Sequence, residues 1–138
     1  MSISRINPAD LHATPGYHHV TVVEAGRLAF LAGQCPLDRS GTVVGVGDID
    51  AQVDQVAANL TALGAVGAGP DQVVRSVIYV ASNDRAVLAA VWRRFNESAL
   101  AAAFTTASTL LGVAQLGFLD QLVELDLTAA VAGWRGDQ

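Results

Sequence analysis

The stretch DIDAQVDQVAANLTALGAVGAGPDQVVRSVIYVAS, Asp48 to Ser82, changes its hydrophobic period midway, and that change decides the fold class. From Asp48 to about Ala68 the apolar residues Val53, Val56, Ala57, Leu60 and Leu63 recur every three or four positions, the spacing of one face of an α-helix. Asp48 or Asp50 is available to cap its start, and Gly67 and Gly69 stand near its end. From Val73 to Ala81 the run is apolar at nearly every position, which predicts a strand buried on both faces and central in its sheet.

Downstream, SNDRAVLAAVWRRFNESALAAA returns to helical spacing through Val87, Leu88, Val91, Trp92 and Phe95, with Ser82 or Asn83 as the cap. Two strands follow, at about Phe104 to Val113 and Leu122 to Val131, around the loop AQLGFLDQ. Upstream, two β-branched or apolar runs, Tyr17 to Val23 and Arg27 to Ala32, are joined by Glu24-Ala25-Gly26, the spacing of a hairpin. Gly33 and Pro36 stop the second run, and Thr42 to Val44 can add a short third strand. The N-terminal lead is polar and contains proline, and the tail GWRGDQ reads as frayed. The order ββ(β)αβαββ predicts an α+β fold, a mixed sheet with two helices packed on one face. No third helix remains to cover the other face, so a partner subunit is the expected cover, in a closed ring or dimer.

The 138 residues fit a single domain, with its core at about 17–131. Hydrophobic residues make up 51% of the chain and charged residues 15%, a balance that leaves apolar surface to bury in an oligomer. Lysine is absent, and eight arginines face thirteen acids for a net charge of −5, which argues against a nucleic-acid groove. Arg93-Arg94 reads as the solvated end of a helix. Cys35 is the single cysteine, so neither an intrachain disulfide nor a CxxC motif can form, and a reducing compartment is expected. With no apolar leader and no uninterrupted apolar run of membrane-spanning length, the chain reads as cytoplasmic, without a membrane partner.

In the last strand Val123, Leu125, Leu127, Ala129 and Val131 share one side, leaving Glu124, Asp126 and Thr128 on the other. Glu124 is either an exposed or networked carboxylate or a general base that orients water. His18 and His19 are adjacent and face opposite ways, so no metal site is expected, while Tyr17 and His19 share a side that can rim a pocket. Cys35 in GQCP is a buried thiol unless a base activates it. VGVGD lacks the third glycine of a phosphate-binding loop and reads as a turn.

The blocks GYHHV, GRLAFLAGQCPLD, DIDAQVDQVAANLTALGAVGAGPDQVVRSVIYVASND, VWRRF and STLLGVAQLGFLDQLVELDLTA resemble, in order, those of the RidA/YjgF family of L-PSP endoribonuclease-like proteins, over roughly Tyr17 to Ala130. The resemblance implies a chorismate-mutase-like fold in a homotrimer, with a central trimeric β-barrel and small-molecule clefts between subunits. It also implies imine and enamine deamination without metal or cofactor. There an arginine of the penultimate strand clamps the substrate carboxylate and a glutamate of the last strand handles water. By that likeness Glu124 is the water-handling glutamate, Tyr17 the cleft tyrosine, Gly33 the turn glycine, and Asn83 the cleft asparagine after a segment one residue shorter.

Three positions depart from the pattern: Ala107 stands where the arginine belongs, Thr109 where a cysteine is common, and Ala32 where a serine usually precedes the glycine. A guanidinium would give the carboxylate two charge-assisted hydrogen bonds, each worth about 1.5–3 kcal/mol, and a methyl group gives none. Ordinary 2-imino-acid deamination is therefore not expected unless Arg75, Arg85 or Arg27 substitutes. A deaminase-type hydrolase of another imine, enamine or related metabolite and a non-catalytic binding or protein-interaction module both fit. An endoribonuclease or translation inhibitor fits an acidic chain least.

Overall fold

The computed structural model describes residues 2–24 and 26–131. The strands are β1 (Ser2–Ile6), β2 (Val20–Glu24), β3 (Leu28–Phe30), β4 (Val73–Val80), β5 (Ala107–Gly112) and β6 (Val123–Ala130), and the helices are α1 (Ile49–Asn59) and α2 (Arg85–Asn96). A four-stranded sheet runs β3-β6-β4-β5, with β4 parallel to β5 and antiparallel to β6. The mixed sheet and the central place of β4 follow the apolar run read from the sequence, and both helices pack on one face.

Asp48 caps α1, its side chain accepting from Ala51 N at 3.1 Å. The expected helix to Ala68 instead tightens into a 3₁₀ segment, Leu60–Val66, ended by Gly67 at φ 72°, a conformation that favours glycine. Its stripe of Val53, Val56, Leu60 and Leu63 is buried to 2% exposure or less, against a sheet face of Ile78, Val80, Val123, Leu125 and Leu127. Phe95 of α2 and Phe104 fill the remaining space with ring centroids 5.3 Å apart, each side chain contributing roughly 1.5–3 kcal/mol by its burial. Arg94 ties α2 to α1 through a bidentate pair with Asp54 at 2.9 and 2.7 Å, and this pair holds the Asp54 carboxyl below its ordinary range.

The structure corrects further local expectations. Val20–Glu24 pairs with Ser2–Ile6 rather than with Leu28–Phe30, which pairs with β6, so the expected hairpin is replaced by two separate pairings. The polar lead is thus a strand, and Arg5 anchors it by donating to Asp71 O at 2.8 Å and Val73 O at 3.1 Å, contacts that local turn chemistry cannot foretell. Asp84, not Ser82 or Asn83, caps α2 by accepting from Ala86 N. Residues Ala101–Phe104 form a 3₁₀ turn, so β5 starts later than expected, and the third strand reduces to a single bridge of Leu37 with Val43. Ala25 and the tail GWRGDQ lie outside the described residues.

Candidate functional site

The alternation in β6 turns Val123, Leu125, Leu127 and Ala129 into the core at 0% exposure and leaves Glu124 half-buried on the opposite, open face. Beside it, Phe30 pairs with Thr128 while Gln34 pairs with Leu125, so the chain entering the GQCP turn carries one extra residue at Ala32–Gly33. Such a bulge bends the strand and opens space for a neighbouring side chain. The Glu124 carboxylate occupies that space: a Cβ on Gly33 would lie 2.1 Å from its Oε2.

Two donors orient Glu124. Cys35 Sγ donates to Oε1 at 3.4 Å, and Gln121 Nε2 donates to the same oxygen at 3.2 Å. Burial pushes the Cys35 thiol up to about 11, and its hydrogen bond to Glu124 and the carboxylate's charge add to the shift while Gln121 opposes it. Cys35 therefore stays a thiol at neutral pH, a hydrogen-bond donor to Glu124 rather than a nucleophile. A hollow of about 470 Å³ adjoins this cluster, with Gly33, Cys35, Arg39, Asn59 and Phe118 in its lining.

Polar side chains of α1 fix the two loops that hold this cluster. Gln52, fully buried, donates to Gly45 O at 3.1 Å and Asp120 O at 2.9 Å and accepts from Leu122 N at 2.7 Å. Gln55 donates to Leu37 O, and Asn59 donates to Cys35 O and Leu37 O. These amides were not singled out from the sequence. The available signal was three uncharged amides at i, i+3 and i+7, beside the apolar stripe.

Of the remaining predicted residues, Ala32 adjoins Gly33 in the bulge and the others lie elsewhere in the chain. Ala107 and Thr109 pair with Arg75 and Val77 on β4, whereas Glu124 pairs with Tyr79. Four residues of strand separate Arg75 from Tyr79, on the order of 13 Å. Ala107 N is held by Thr21 Oγ1 at 3.0 Å, and Arg75 makes no hydrogen bond or ion pair among the described residues. Ala32 is exposed, and its carbonyl accepts from Gln34 Nε2. Asn83 is exposed in the connector ahead of Asp84.

Tyr17 lines a different space, a cavity of about 550 Å³ bounded by Pro15, Ala89, Trp92, Arg93 and Leu110. It lies on the helix side of β5, since Ser108 and Leu110 face away from Ala107 and Thr109. Tyr17 meets His19 edge-on at 5.8 Å, as their shared side implied, and Trp92 at 6.3 Å. His18 turns the other way, its Nδ1 against Thr105 O. Among the described residues no group of three His, Cys, Asp or Glu side chains is placed to hold a metal ion, and no helix is long and apolar enough to cross a membrane.

The profile of the family described as Endoribonuclease L-PSP matches residues 8–131. A RutC family protein of Synechocystis sp. is 32% identical over 134 residues, which is 95% of this chain and 98% of that protein. Among solved structures, YyfB of Yersinia pestis, a protein of unknown function in the conserved Rid family, is similar at a TM-score of 0.83 and 33% identity, over 94% of this chain and 99% of that one. The yeast protein YEO7 is similar at a TM-score of 0.60 and 27% identity, over 94% and 98% of the two chains.

Proposed function

The chain belongs to the RidA/YjgF family, the Endoribonuclease L-PSP group, and from that premise we propose that it is a cofactor-independent hydrolase of a small imine, enamine or related metabolite. The reading has it work in intersubunit clefts of a cytoplasmic homotrimer, and not as a standard 2-imino-acid deaminase held by a β5 arginine. The observation that carries it is the setting of Glu124. Its Oε1 is fixed by Cys35 and Gln121 over a glycine floor, and Oε2 keeps its hydrogen-bonding capacity for water.

In the proposed step Glu124 takes a proton from water as the oxygen bonds to the imine carbon. The C=N electron pair moves to nitrogen, which takes that proton from Glu124 to give the carbinolamine. Glu124 then takes the hydroxyl proton and passes it to nitrogen as the C–N bond breaks, leaving a carbonyl compound and ammonia. The intersubunit cleft is supported by separation: Glu124, Ala107 and the Tyr17 cavity are too far apart in one protomer for a single small molecule to touch all three. A second copy set against the open face can bring one protomer's Tyr17 to another's Glu124.

The absence of a cation at Ala107 favours a second reading, a non-catalytic trimeric module that binds a metabolite or a protein. Ribonuclease activity, named in the family description, fits poorly with a net charge of −5. Ammonia release from imines generated in the assay decides between the first two. The hydrolase reading expects release by wild type and a loss of about 100-fold in Glu124→Gln, the usual scale for a general base. No release by either protein, with a small molecule retained on purification, would replace it with the binding module.

A further inference from the structure

We propose that the Tyr79 hydroxyl is a second catalytic group beside Glu124, donating a hydrogen bond to the substrate nitrogen while the carboxylate activates water. This rests on the reading of Glu124 as the base, and it adds a residue from a different strand. On β4 the flanking Ile78 and Val80 are in the core at 0% exposure, so Tyr79 points to the open face of the sheet. Val123 and Leu125 turn Glu124 to the same face of β6 in the same way. The antiparallel register then sets Tyr79 directly opposite Glu124. Side chains so paired start from Cβ atoms about 4.5–5.5 Å apart, close enough to act on one small molecule.

Tyr79 is half-buried, whereas Val77, Ile78 and Val80 around it are buried. A tyrosine hydroxyl in such a place ordinarily has a partner in the protein. Among the described residues the Tyr79 hydroxyl makes no hydrogen bond, neither to Glu124 nor to Asp126 two residues along the same face of β6. Its neighbour on the other side, Leu111 of β5, is apolar and offers none. The hydroxyl is therefore a donor facing the site with nothing to hold but a ligand.

The two groups divide the chemistry. Oε1 of Glu124 is occupied by Cys35 and Gln121, which leaves Oε2 for water. Tyrosine carries its hydroxyl further from the sheet than glutamate carries its carboxylate, so the pair spans a C=N group instead of competing for one atom. As water attacks carbon, negative charge develops on nitrogen, and a donor already aimed there stabilises it. The in-plane lone pair of nitrogen accepts from Tyr79, and the pair released from the double bond takes the proton from Glu124. Tyr79 keeps its own proton, so the balance of the hydrolysis is unchanged. Such a donor selects an unprotonated imine, because an iminium nitrogen has no lone pair to accept with.

The test is ammonia release from benzaldimine, a neutral imine without a carboxylate, generated in the assay by a flavin oxidase acting on benzylamine. Tyr79→Phe keeps the ring and is expected to melt within about 2 °C of wild type. It should lower kcat about 100-fold, the scale for losing one donor to developing charge, with KM within about twofold of wild type. A tyrosine with a merely structural role would move the melting temperature and spare kcat. Release that is lost in Glu124→Gln but retained in Tyr79→Phe overturns the inference and leaves the hydrolase standing. No release by wild type removes both.

Discussion

A methyl group on residue 33 would put its carbon 2.1 Å from Glu124 Oε2 and 2.7 Å from Glu124 Cδ. The obstructed group is the end of a flexible side chain, so the backbone can stay while the carboxylate moves off its two donors. Gly33→Ala is therefore expected to melt within about 2 °C of wild type, since the collision is relieved without disturbing the core. It is expected to lose about 100-fold in ammonia release, the scale of a small misplacement of a reacting group. Activity equal to wild type would show that the carboxylate works from another position. Glu124 and Gly33 were both legible in the sequence, one from strand alternation and one from the resemblance. Their direct contact was not, because it depends on a bulge that slips the register by one residue.

Among the elements, α1 does more than bury an apolar stripe. Gln52 bridges the turn at Gly45 to the loop at Asp120–Leu122 from a fully buried position. Gln52→Leu keeps roughly the same volume but leaves Leu122 N and two carbonyls without this partner, at a cost on the order of 3 kcal/mol. Urea denaturation should show that loss as a lower midpoint, and a change under about 0.5 kcal/mol would mean the loops are held by other contacts. The helical period of α1 was plain in the sequence, as was the central place of β4. The partner of β2 was not, because turn spacing favours a local hairpin while the observed pairing with β1 is supported by Arg5 reaching residues more than sixty positions away.

At the scale of the whole molecule, the sheet face without helices exposes Phe30 at 77%, Leu28 at 43% and Leu111 at 42%. An apolar face of this kind marks an interaction surface, and the proposed homotrimer would seat a subunit there. Light scattering is expected to give the mass of a homotrimer for wild type and of a monomer for Phe30→Glu, whose charge would be buried in the interface. A monomeric wild type would remove the intersubunit cleft. By itself the sequence determined the α+β class, the family and the buried side of β6, since periodicity, composition and side-chain chemistry are carried by near neighbours in the chain. Only the tertiary structure decided the strand partners, the cradle of Gly33, Cys35 and Gln121 around Glu124, and the pairing of Arg94 with Asp54. Those depend on which residues distant in the chain come within hydrogen-bonding reach, and that is fixed when helix and sheet pack together.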